Sequence, residues 1–157
     1  MRPAERPRAA LPGAGCAGPR PDGGGAERLA AFRDVLGDVD GSRIATGDYS
    51  RESGSDAMLR LLERSPDPDA VFAASDLMAA GALEVLRGDG RRVPEDVAVG
   101  GFDDSAVAGR CRPALTTIRQ PLSRISREMV RLLLAMIDGD SPAGIILPTV
   151  LVRRESA

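Results

Sequence analysis

This chain of 157 residues has no lysine, no histidine and no tryptophan, and all 21 of its basic residues are arginine. Without histidine there is no imidazole metal site and no histidine-based triad; without lysine there is no Schiff base. Only Cys16 and Cys111 are present, far apart and without a metal-type spacing. Each is expected to be an idle or buried thiol, because reactive thiols need electropositive surroundings. No apolar run approaches the roughly 18–20 residues that span a bilayer. Ala9-Ala10-Leu11 is cut off by Pro12 and Gly13, so no secretory core is seen there, and a cytoplasmic protein is expected. A net charge of −2 gives no electrostatic footprint for nucleic acid. What remains is enough chain for one ordinary domain with a sizeable core.

The clearest pattern lies in residues 70–105, AVFAASDLMAAGALEVLRGDGRRVPEDVAVGGFDDS. A short apolar run at 70–74 reads as a buried parallel strand. Ser75-Asp76 then offers side chains to the free N–H groups of a helix start. Ala79, Ala82, Leu83 and Leu86 follow at helical spacing, and Gly88 and Gly90 stop the helix. Pro94 turns the chain into a second strand over 97–102, which ends on Asp103-Asp104. Such a βαβ unit, with polar residues after each strand, has the form of a ligand-binding crevice in an open α/β sheet.

Around this unit, residues 1–21 hold five prolines and read as irregular. From Ala26, an amphipathic helix runs to Gly37, with Arg28 in its first turn, where the helix dipole favours acids instead. Residues 43–46 form a short strand candidate, followed by Gly47-Asp48-Tyr49. Ser50 caps a helix to about Arg64. Residues 115–119 are a further strand ending in Gln120-Pro121. Ser123 is placed to cap the longest helix, to Asp138, and residues 145–153 read as a final strand. This alternation predicts an α/β fold with a mainly parallel sheet flanked by helices.

The strand ends carry Asp48-Tyr49, Ser75-Asp76, Asp103-Asp104 and Gln120. In a parallel sheet these ends share one edge, so the residues can converge. Carboxylate, amide and hydroxyl groups with one arginine and one aromatic ring suit a polyol, because Asp and Arg each hold neighbouring hydroxyls by charge-assisted bonds. Paired acids could instead hold Mg²⁺. A receiver-type acidic site would need a lysine. Gly23-Gly24-Gly25 could cradle phosphate, but no GxxxxGK pattern accompanies it.

Several stretches together resemble one family. PDAVFAASDLMAAGALEVLR, GRRVPEDVAVGGFDD, PALTTIRQPLSRISREMVRLLLAMIDG and LPTVLVRRESA are similar to the C-terminal half of LacI/GalR-family transcriptional regulators. GPRPDGGGAERLAAFRDVLG and GDYSRESGSDAMLRLLER match upstream in the same order. The resemblance implies one lobe of a type I periplasmic-binding-protein-like fold, with a sugar or nucleobase in a two-lobed cleft and a helix-turn-helix reader elsewhere. By position it implies effector contacts from Arg28, Tyr49, Ser75, Asp103 and Gln120, with Asp76 and Asp104 bracing the backbone around them. Ser75 is a departure, since many members place an amide there.

Residues 1–17 are accordingly expected to be an irregular or truncated N-terminal arm and 18–157 the C-terminal lobe. RAALPGAGCA is a poor strand where the family has a hydrophobic one, as from a truncated gene, a misplaced start or a shifted frame. In the family, the helix over 123–138 packs against the other lobe, so exposed apolar surface and a homo-oligomer are expected here. No catalysis, metal or cofactor is expected, nor any membrane contact or direct DNA binding by this chain. With about four hydrogen bonds from the other lobe missing, at roughly 0.5–1.5 kcal/mol each, sugar binding weakens by roughly 2–6 kcal/mol. The competing readings are a periplasmic sugar carrier of a transport system and, more remotely, a metal-dependent enzyme using Asp76, Asp103 and Asp104.

Overall fold

The computed structural model describes residues 8–11, 24–37 and 39–157. Strand β1 is Arg8–Leu11 and helix α1 is Gly24–Leu36; a 3-10 turn at Gly41–Arg43 leads to α2, Arg51–Arg64. Then come β2 (Ala70–Ala73), α3 (Asp76–Gly88), β3 (Ala98–Asp103), β4 (Thr116–Arg119), α4 (Leu122–Ile137) and β5 (Val150–Val152). The five strands form one sheet in the order β1-β2-β3-β4-β5. All neighbours are parallel except β4 and β5.

Alternation along the strands assigns the two faces. Val71, Ala73 and Val99 point into a core with Ala57, Met58 and Leu61 of α2 and Met78, Ala79, Ala82 and Leu86 of α3. Phe72 points the other way and stacks on Phe32 of α1, with ring centroids 6.4 Å apart. Helices therefore cover both faces, as the βα alternation predicts. α2 and α3 cross closely because Gly54 and Gly81 meet there: a Cβ on Gly54 would run into the Met78 backbone, and one on Gly81 into Arg51 O.

Local chemistry corrects several boundaries. Residues 8–11 were expected to be irregular, yet they form the outer strand, each paired with a residue of β2. The rest of the expected arm over 1–17, and Cys16, lie outside the described residues. The strand expected at 43–46 begins as a 3-10 turn, because Asp40 accepts from the Ser42 N–H (3.1 Å) and hydroxyl (3.0 Å). Ile44 and Gly47 make only isolated bridges. α4 starts one residue earlier than expected and has no side-chain cap, so Ser123 lies inside it. The last strand shrinks to three residues, and Ile145 and Leu147 before it line a cleft with Ile125, Met129 and Leu132 of α4.

The final residues are built into the sheet. Ser156 is fully buried; its hydroxyl donates to Val99 O (2.6 Å) and accepts from the Thr116 N–H (2.8 Å). Its carbonyl accepts from the Val99 N–H at 2.7 Å. This stitch fixes the register of β3 against β4, and with it the corner where both strands end.

Candidate functional site

The site forms at the carboxyl edge of β2, β3 and β4. β3 ends on Asp103, held at φ +115°, and Asp104 follows at φ +55°. Two successive non-glycine residues in that half of backbone space are costly, and they persist only where surroundings over-determine them. Here the turn aims the Asp103 carboxylate at Gln120, whose Nε2 donates to Asp103 Oδ1 at 2.8 Å. Gln120 is the only carboxamide side chain in the chain.

Arg28 reaches the same corner from the first turn of α1. Its Nη1 donates to Ala74 O at 2.9 Å, and its guanidinium lies 4.0 Å from the centre of the Phe102 ring. Cation–π contact and a backbone anchor fix this head beside Asp103. Burial pushes the Asp103 carboxyl above its ordinary range, while the Gln120 hydrogen bond and the charge of Arg28 pull it back and Asp76 pushes it further up. A half-buried carboxylate with one oxygen engaged is suited to accept hydroxyl donors.

Ser75 sits at the end of β2 as the N-cap of α3: its hydroxyl accepts from the Met78 N–H at 3.2 Å. The same hydroxyl lies 3.5 Å from Tyr49 O, linking two of the predicted residues. Tyr49 is held at φ +70° and packs its partly buried ring on the core. The cap is thus Ser75, and Asp76 has a different place. Asp76 is buried, accepting from the Ser105 N–H and the Thr117 hydroxyl, both at 2.6 Å.

Asp104 turns away from Asp103. Its Oδ1 accepts from Arg154 Nη2 and its Oδ2 from Arg119 Nε, both at 2.5 Å. Burial raises this carboxyl, but the two arginines outweigh it and hold the group below its usual range. The three carboxylates therefore point to separate partners, and among the described residues no group of three acids or cysteines is placed to hold a metal ion. A cleft of about 450 Å³ opens beside this corner, lined by Asp103, Arg119, Gln120, Pro121, Leu122 and Arg124 among others. A separate apolar cavity of about 460 Å³ lies between α1 and the sheet, and shares Arg28 and Phe102 with the corner.

Arg28, Ser75 and Asp103 with Gln120 are thus gathered on one edge, with Tyr49 alongside. Sequence reasoning missed Phe102, Thr117, Arg119 and Arg154. Phe102 had a signal, since it directly precedes Asp103 in the strand; Arg154, fifty residues from Asp104, had none.

Fold and edge site together define a periplasmic-binding-protein-like lobe. The chain belongs to that family: residues 13–157 match the periplasmic binding protein-like domain, in the form found in LacI-family regulators. It is 49% identical over 146 residues to the HTH-type transcriptional regulator CelR of Thermobifida fusca, covering 89% of this chain and 43% of that one. A solved CelR–cellobiose complex superposes with a TM-score of 0.84 at 47% identity, covering 93% of this chain and 46% of that one. A LacI-family regulator from Arthrobacter sp. FB24 in complex with lactose gives a TM-score of 0.72 at 33% identity, over 96% and 57%. The chain therefore spans less than half the length of the CelR relatives it matches.

Proposed function

We propose that this chain is the effector-sensing lobe of a cytoplasmic LacI-type transcriptional regulator, and that its effector is a disaccharide of the cellobiose class. The observation that carries this reading is the Arg28–Phe102–Asp103–Gln120 corner. It joins a carboxylate hydrogen-bonded to an amide with a guanidinium anchored over Phe102, whose charge acts on that carboxylate, on the edge where open α/β sheets take ligands. Sugar hydroxyls donate to Asp103 and accept from Arg28 and Gln120, and Tyr49 supplies an apolar wall. Ser75, Asp76 and Asp104 support the loops that carry these groups. Similarity to proteins solved with cellobiose and lactose supports the sugar class, and CelR the β-linked glucose member of it.

In the whole regulator, closing a second lobe over this edge would shift the population that binds its operator. Such a regulator works as a homo-oligomer and not as an enzyme. Titration of the ¹⁵N-labelled chain with cellobiose, followed by amide shifts, tests the site. Shifts confined to Gly101–Ser105, Arg119–Gln120 and the start of α1, abolished in Asp103→Ala, are expected. Identical shifts in Asp103→Ala, or none with any sugar of a disaccharide panel, would overturn the assignment.

A further inference from the structure

We propose that Asp104 is a positioning residue that fastens both strands leading to and from α4 to the floor of the effector corner. Resting on the sugar-site reading above, it assigns that site a mechanical output. The two arginines it holds come from different places in the chain. Arg119 is the last residue of β4, one step before Gln120-Pro121 and α4. Arg154 follows β5, the strand that returns from α4, and its Nη1 also donates to Leu115 O at 2.8 Å. β4 and β5 pair antiparallel, Arg119 opposite Val150 and Thr117 opposite Val152, so Asp104 ties the outgoing and the returning strand at once.

The clamp is continuous with the site on its other side. The Asp104 N–H donates to Thr117 Oγ1 (3.4 Å), and that hydroxyl donates to Asp76 at the start of α3. Asp103, at φ +115°, is the residue immediately before the clamp, and Asp104 follows it at φ +55°. Only 8% of the Asp104 side chain is exposed; its pair with Arg154, itself 23% exposed, is shielded from solvent better than its pair with Arg119, which is 57% exposed. A ligand that moves Asp103 or Gln120 therefore acts on the root of α4 through Asp104, Arg119 and Arg154.

Asp104→Asn isolates the charge, since asparagine tolerates the left-handed backbone that this position adopts. Amide exchange and ¹³C carboxyl titration of the full chain, wild type against variant, test the proposal without any sugar. The variant is expected to exchange about tenfold faster or more at Arg119, Gln120, Leu122 and residues 150–154, with α3 amides within about twofold of wild type. The Asp103 carboxyl is expected to titrate at a different pH. Arg119→Gln and Arg154→Gln should each loosen one strand more than the other. Uniform acceleration across α3 and the strands, or no change at either strand, would overturn the clamp. Cellobiose shifts in the wild-type chain are read separately: with the strands loosened by Asp104→Asn but no sugar response, the clamp stands and the sugar reading falls.

Discussion

A methyl group on Gly101 would lie 2.6 Å from Asp76 Oδ1 and 2.7 Å from Leu115 Cδ2, so the floor of the corner has no room for one. Gly101→Ala is expected to destabilise by about 1–3 kcal/mol, the range of overpacked cores, read as a lower urea midpoint at unchanged slope. Carboxylates at different strand ends give opposite pH signatures. The Ser50 hydroxyl beside Asp48 holds its carboxyl down to about 2 from 3.8, with the Ser50 N–H and the Ser53 hydroxyl adding to the effect. A depressed group stabilises the fold above its ordinary value and loses that contribution as pH falls toward 2. Asp104 acts in the same direction. Asp103, raised by burial, does the reverse: its contribution favours the fold in acid and disappears as pH rises through the raised value. Relative to wild type, Asp48→Asn should therefore lose less stability between pH 3.8 and about 2. Asp103→Asn should gain relative to wild type as pH rises above the ordinary carboxyl value of 3.8. Urea midpoints across pH check both, and parallel curves for all three proteins would contradict the assignment.

Among elements, the α2–α3 pair carries the core, and its two helices begin on serine caps. Ser50 accepts from the Ser53 N–H at 3.1 Å, as Ser75 does from Met78. Ser50→Ala should cost about 1 kcal/mol, a typical loss for a removed cap, visible as a lower melting temperature. Gly54→Ala should cost more, because its methyl would meet the Met78 backbone, which has no side-chain freedom with which to yield. These helices and the strands between them were readable, since periodicity, caps and glycine stops all agreed over residues 50–103. Positions of Ser75, Asp103 and Gln120 at one edge followed from parallel topology, while Arg28 was placed there by the family resemblance. Other features were settled by partners that the local sequence does not show. Arg8–Leu11 is a strand because β2 offers it an edge, and Asp104 is clamped by a residue fifty positions away. Residues 145–149 stay out of the sheet, with Ile145 and Leu147 lining a cleft beside α4.

At the scale of the molecule, α4 stands apart from the packing that holds everything else. None of its residues is buried, and Met129, Val130, Leu133, Leu134, Met136 and Ile137 are each more than half exposed. Its apolar positions circle more of the helix than one groove would cover, so a single sheet face could not have satisfied it. The chain spans 43% of its CelR relative, and in the LacI-type reading this helix belongs against a second lobe. Exposed apolar surface of this extent drives association. At micromolar concentration, light scattering on the chain should give a mass above that of one copy. Leu133→Glu with Leu134→Glu should return it to the monomer mass. Because neither leucine packs on the core, the melting temperature of that variant should stay at the wild-type value. A wild-type chain that is monomeric under these conditions would show that the exposed face of α4 does not drive association. A variant that loses its cooperative melt would show that α4 supports the lobe itself, and the division between a self-sufficient βα core and a helix built for a second lobe would fall.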